Sequence, residues 1–185
     1  MAWIAEIGEE QARGRLRELY EEIGRARGKV ANIMRVHSLL PRTMEAHLRL
    51  YLAMMFAPGG LSREERELVA TVISARNGCG YCVRHHGEAL HHYWKDRGKV
   101  GAASADYTRL PLPARQRAML DYAVKLTSTP ADMAQADVQL LREAGLSDQE
   151  ILSLNLIVSY FNFVNRVAQG LGVEFDEAEA TGYEY

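Results

Sequence analysis

Cysteine is scarce in this chain: Cys79 and Cys82 are the only two in 185 residues, too few for a disulfide framework. Five prolines and 15 glycines form no low-complexity or collagen-like stretch. Apolar runs are short against the ~20 residues of a membrane span, and the first residues carry neither a basic leader nor a long apolar core. The expectation is a cytoplasmic protein with no membrane partner. Charge of one sign is lacking too, since 22 basic and 24 acidic residues nearly cancel. Without a basic stripe interleaved with aromatics, nucleic acid is not an expected partner either.

What is present is 48% hydrophobic and 25% charged, the balance of a compact globular unit. At this length roughly 70% of the unfolded surface is buried on folding, so no metal or disulfide is needed to hold a core. Periodicity is helical nearly throughout and no run alternates as a strand does. The pattern predicts an all-α domain over 1–185 with about seven helices, at 9–27, 41–56, 62–77, 79–95, 113–128, 133–144 and 148–169. Pro58-Gly59-Gly60, Pro111 with Pro113, and Thr129-Pro130 mark stops. The segment 96–112, with Gly98 and Gly101, reads as the longest loop. It separates a first half, about 1–97, from a second, about 110–172, followed by a tail at 173–185.

The halves echo each other at an offset of 85 residues. Leu61-Ser62-Arg63-Glu64-Glu65 aligns with Leu146-Ser147-Asp148-Gln149-Glu150, and both are S-x-x-E capping boxes. Ser74 then matches Ser159, and Asn77 matches Asn162. In this register Cys79, Cys82 and Glu67 face Val164, Val167 and Leu152, so a duplication implies a second copy without the chemistry.

On a helix, Cys79, Cys82, Val83, His86, Leu90 and Tyr93 share one stripe. Cys79 and Cys82 are three residues apart, which brings their α-carbons near disulfide range, and His86 follows Cys82 by four, the spacing of helical neighbours. A reversible dithiol beside a proton acceptor is feasible. His85, His91 and His92 fall on other faces and are expected in solvated or interface roles. In the preceding helix Glu67 lies with the small residues Ala70, Thr71, Ser74 and Gly78, which predicts close approach by another helix and a carboxylate reaching His86. The alternative is an exposed pair with Arg63 at i−4.

Glu67, then Cys79-Gly80-Tyr81-Cys82, then His86 reproduce the E-x11-C-x-x-C-x3-H signature of the alkylhydroperoxidase D and carboxymuconolactone decarboxylase superfamily. The segments 65–77, 120–127 and 144–148 resemble its peroxidase-related branch. The chain departs from the best-known hydroperoxidase at Tyr81, a possible site neighbour, where that protein has histidine. The resemblance implies a duplicated all-helical fold, homo-oligomers and thiol-dependent reduction of a hydroperoxide without a cofactor. An external thiol or dithiol would then be the reductant. It implies catalytic roles for Cys82, Cys79, His86 and Glu67. The helix dipole favours Cys79 as the anion; the resemblance and the imidazole at i+4 favour Cys82 as the attacking thiol, with Cys79 the more accessible, resolving one. Rival readings are an oligomeric redox sensor or interaction protein, a zinc site on Cys79, Cys82 and His86, and a lactone decarboxylase. The bulky end of the second helix, Tyr51, Met54, Met55 and Phe56, is expected to be partly buried between subunits.

Overall fold

A computed structural model describes residues 2–175; the expected tail at 173–185 therefore lies mostly outside the described residues. Among these residues there are nine α-helices and no strand: α1 Gly14–Arg27, α2 Asn32–Arg35, α3 Pro41–Met55, α4 Arg63–Arg76, α5 Gly80–Trp94, α6 Arg97–Asp106, α7 Ala114–Ser128, α8 Gln135–Glu143 and α9 Asp148–Gly170. The all-α expectation holds, and the count of seven is corrected by α2 and α6.

The segment 96–112 is not the expected loop. Asp96 caps α6 by accepting a hydrogen bond from the Lys99 N–H at 2.9 Å, and a short 3-10 turn, Tyr107–Arg109, follows. The helix escapes a periodicity reading because Ala103 is its one buried residue and its two glycines lower its propensity. Its small side chains let it lie close on α5, with Val100 against Gly87.

α4 is the axis of the molecule and packs against α5, α6, α7 and α9. Every residue from Arg66 to Ser74 is buried, so α4 is enclosed all round. Ser62 and Glu65 form the expected capping box at its start, and Ser147 and Glu150 form the second at the start of α9. Arg115 joins the two, pairing with Glu65 at 3.1 Å and Glu150 at 2.6 Å. At the other end of the connection from α3, Arg66 donates to the carbonyls of Met54, Gly59 and Leu61, and Arg63 donates to that of Met55. These guanidinium groups satisfy helix-end carbonyls that would otherwise be orphaned.

α9 is the one helix among the described residues long and apolar enough to cross a membrane, and half of its most apolar window is buried inside the fold. Leu154, Ile157, Val158 and Phe161 fill the core from it. The expectation for the end of α3 is corrected: Tyr51, Met54 and Met55 are buried in the chain's own core. Only Phe56 remains out, 43% exposed, with the Arg63 guanidinium 3.6 Å above its ring.

Candidate active site

The turn between α4 and α5 places the cysteines. Asn77 ends α4, and the next residue must turn into the left-handed region, where Gly78 sits at φ +68°. The Gly78 N–H then bonds the Ala75 carbonyl and the Cys79 N–H bonds that of Ser74, the two bonds of a Schellman ending. α5 starts at once, with Cys79 as its N-cap and Cys82 in its first turn. Both thiols are free, and both are buried, with 1% and 2% exposure. The expectation that Cys79 is the more accessible is therefore corrected.

The pair has an asymmetric acidity. The Cys82 side chain donates to Cys79 and, against the opposing effect of burial, nearby N–H groups and Asn165 help draw the Cys79 thiol down to about 7. Cys82 is pushed well above the ordinary thiol value, first by that same hydrogen bond and then by burial. The resting anion belongs to Cys79, as helix-start reasoning suggests. Alkylation of Cys79 in the reduced protein is accordingly expected to half-saturate near pH 7 and to fall about fivefold from there at one pH unit below, while Cys82 stays unreactive; peptide mapping after brief iodoacetamide treatment reads both.

Glu67 is fully buried and both its oxygens are used: Oε2 lies 2.7 Å from His86 Nδ1 and Oε1 accepts from Arg63 Nε at 2.9 Å. The carboxylate therefore reaches His86 as expected, and its pair with Arg63 is buried at Glu67 rather than exposed. Burial would raise the carboxyl's pKa, but His86 and then Arg63 outweigh it and hold the group below the ordinary value. A carboxylate there requires Nδ1–H on the imidazole, which leaves Nε2 with the lone pair. The edge-to-face Phe161 ring, 4.6 Å away between centroids, further fixes the imidazole.

Cys82, His86, Tyr81, His85, Tyr51 and Tyr160 meet at a cavity of about 50 Å³, room for a few water-sized groups. Ile33, Met34, Leu48 and Val164 make its other walls apolar, and Arg27 and Lys29 lie on its rim side. His85 is thus corrected from a solvated role to a cavity wall, stacked on Tyr81 with ring centroids 6.1 Å apart. His91 is half-buried and His92 exposed, and Tyr93, expected on the cysteine stripe, is exposed. Tyr81 fills the departure noted in the signature, and its hydroxyl accepts from the Ile33 N–H at 3.3 Å. Among the described residues no group of three or more His, Cys, Asp and Glu is placed to hold a metal ion.

Sequence reasoning missed Asn165. It is fully buried on α9, donates to Ser74 Oγ at 3.1 Å, accepts from Asn77 Nδ2 at 2.9 Å and serves both sulfurs as a hydrogen-bond partner. One signal existed: Asn165 continues the apolar stripe Leu154, Val158, Phe161, Ala168, and a polar residue on such a stripe needs a buried partner. Ser74, noted for the internal echo and the small stripe beside Glu67, and Asn77, noted for the echo, belong to this same network.

With this geometry in view, similarity to known proteins is informative. Residues 41–106, which span α3 to α6 and include every signature residue, match the sequence model of the Carboxymuconolactone decarboxylase family. No curated protein matches the chain significantly. An uncharacterised peroxidase-related protein from Ralstonia eutropha JMP134, described as an alkylhydroperoxidase AhpD core, superposes with a TM-score of 0.88 at 28% identity over 97% of this chain and 94% of that one. A second uncharacterised peroxidase-related protein, from Silicibacter sp. TM1040, gives 0.84 at 28% identity over 98% and 93%. The debrominase Bmp8 in complex with 2,3,4-tribromopyrrole gives 0.79 at 19% identity over 95% and 92%, a likeness of fold alone. Residues 41–106 thus match the carboxymuconolactone decarboxylase family, and the chain as a whole has the alkylhydroperoxidase D-like fold.

Proposed function

We propose that this chain is a thiol-dependent peroxidase that reduces a hydroperoxide through a dithiol–disulfide cycle of Cys82 and Cys79. The observation that supports this most is the Glu67–His86 pair: a buried carboxylate locks the imidazole at Nδ1, and His86 lines the same cavity as Cys82, four residues before it on α5. His86 Nε2 takes the first thiol proton, leaving one proton shared between two sulfurs. With a hydroperoxide in the cavity, the Cys82 sulfur attacks the terminal oxygen as its proton passes to Cys79. An S–O bond forms, the O–O bond breaks, and the alkoxide takes a proton to leave as alcohol. The Cys79 thiol then attacks the sulfenic acid, giving the disulfide and water. An external thiol or dithiol returns the pair to its reduced state, and no cofactor enters.

The outer face of α9 exposes Leu152, Leu156 and Phe163, a stripe suited to association with a second copy in a homo-oligomer.

The test is one equivalent of hydroperoxide added to the reduced protein, followed by thiol counting and mass spectrometry of the peptide that holds both cysteines. Both thiols are expected to disappear together, with the peptide lighter by two hydrogens and one alcohol formed, and a dithiol should reverse this. Two thiols that stay free overturn the reading.

A further inference from the structure

Tyr160 of α9 lines the same cavity, and from it a line of hydrogen bonds runs to the surface that the chemistry above does not use. Tyr160 OH lies 2.7 Å from His47 Nε2, His47 Nδ1 lies 3.0 Å from His37 Nε2, and His37 Nδ1 lies 3.1 Å from Thr43 Oγ1. Tyr160 and His47 are buried, His37 is half-exposed in the turn before α3, and Thr43 is exposed. A chain of groups that each donate and accept, leading from the cavity to solvent, is what a proton needs to travel.

One anchored hydroxyl sets the direction of every bond. Thr43 Oγ1 donates to the Leu40 carbonyl at 2.8 Å, so toward His37 it accepts, and neutral His37 carries its hydrogen on Nδ1. His37 Nε2 therefore accepts from His47 Nδ1–H, and His47 Nε2 accepts from the Tyr160 hydroxyl. With His37 protonated on both ring nitrogens the bonds take the opposite sense, and His47 carries its hydrogen on Nε2. His37 then donates to His47 Nδ1, His47 donates from Nε2 to the Tyr160 oxygen, and the Tyr160 O–H is released toward the cavity. Burial, and then the charge of His37, hold His47 near 4, so it relays a proton without keeping one.

We infer that Tyr160 is the general acid that protonates the departing alkoxide, resupplied with protons through His47 and His37. This rests on the peroxidase reading. The thiolate's electron pair makes the S–O bond, the O–O pair stays on the alkoxide, and Tyr160 gives that oxygen its proton. Tyr160 takes a replacement from His47 Nε2, and His47 Nδ1 takes one from protonated His37, which is left neutral. Burial raises the Tyr160 hydroxyl's pKa well above the ordinary value, yet an alkoxide is a stronger base still, and a Cys82 anion raises it further, so Tyr160 keeps its proton until the O–O bond opens. His37 and His47 are positioning residues in this scheme.

A general acid matters only where the leaving group needs a proton. Dithiol oxidation is measured in a single turnover with tert-butyl hydroperoxide, which leaves as an alkoxide, and with peracetic acid, which leaves as a carboxylate. Tyr160→Phe is expected to slow the first by ~10²-fold or more and the second far less. His47→Gln is expected to show the same selectivity, in the maximal rate rather than in the half-saturating concentration, and it carries the comparison if Tyr160→Phe melts below the assay temperature. Equal slowing of both oxidants in the variants means a structural role and overturns the inference, as does no slowing at all. Failure of the peroxidase reading shows separately, as wild-type protein that reacts with neither oxidant.

Discussion

In a Cys82→Ser protein hydroperoxide turnover is expected to fall to the uncatalysed rate, and in a Cys79→Ser protein to halt after one event per chain, with a sulfenic acid left on Cys82. The asymmetry follows from position, not from acidity alone. Cys79 carries the resting anion because Cys82 donates to it, but Cys82 is the sulfur on the cavity wall beside His86. A proton moved across the Cys82–Cys79 hydrogen bond puts the anion where the oxidant is, and Cys79 then holds the thiol needed for resolution. Dimedone labelling with peptide mapping separates the roles. An adduct on Cys82 in Cys79→Ser, with none on Cys79 in Cys82→Ser, is the expected pair of results. The opposite pair reverses the assignment.

Glu67→Gln is expected to keep the fold and lower the rate of dithiol oxidation by ~10²-fold or more. The amide fills the same space and still meets His86, but it can donate as well as accept and no longer requires Nδ1–H, so His86 loses the fixed tautomer that keeps the Nε2 lone pair available. Stability should shift in a way that an exposed Arg63 pair would not produce. Because the Glu67 carboxyl is held below its unfolded value, its contribution to stability is present above about pH 4.3 and is lost as pH falls through the folded value. Urea unfolding at several pH values should therefore show a steeper acid loss in wild type than in Glu67→Gln. Unchanged oxidation kinetics together with an unchanged acid slope would strike Glu67 from the site.

Much of the site is a matter of local spacing. Cys79, Cys82 and His86 lie within about two turns, so a helical segment suffices to align them, and both capping boxes depend only on residues three apart. Glu67 reached His86 as expected because a run of Ala70, Thr71 and Ser74 lets α4 and α5 approach closely. The sequence also left traces it did not explain, such as a polar Asn165 among apolar neighbours and a histidine, His47, on the buried face of α3.

Short-range pattern decided which segments are helices and which residues share a face; the meeting of faces was decided by packing. Asn165 joins Ser74 across 91 residues, and His47 joins Tyr160 across 113, pairings that no periodicity contains. The same long-range contacts buried Tyr51, Met54 and Met55 within the chain, turned His85 to the cavity and held α6 in place despite its weak apolar stripe. Polar groups taken out of water must find partners wherever the fold brings them, and so the second half of the chain, which lacks cysteine, supplies both the amide beside the thiols and a phenol that lines the cavity.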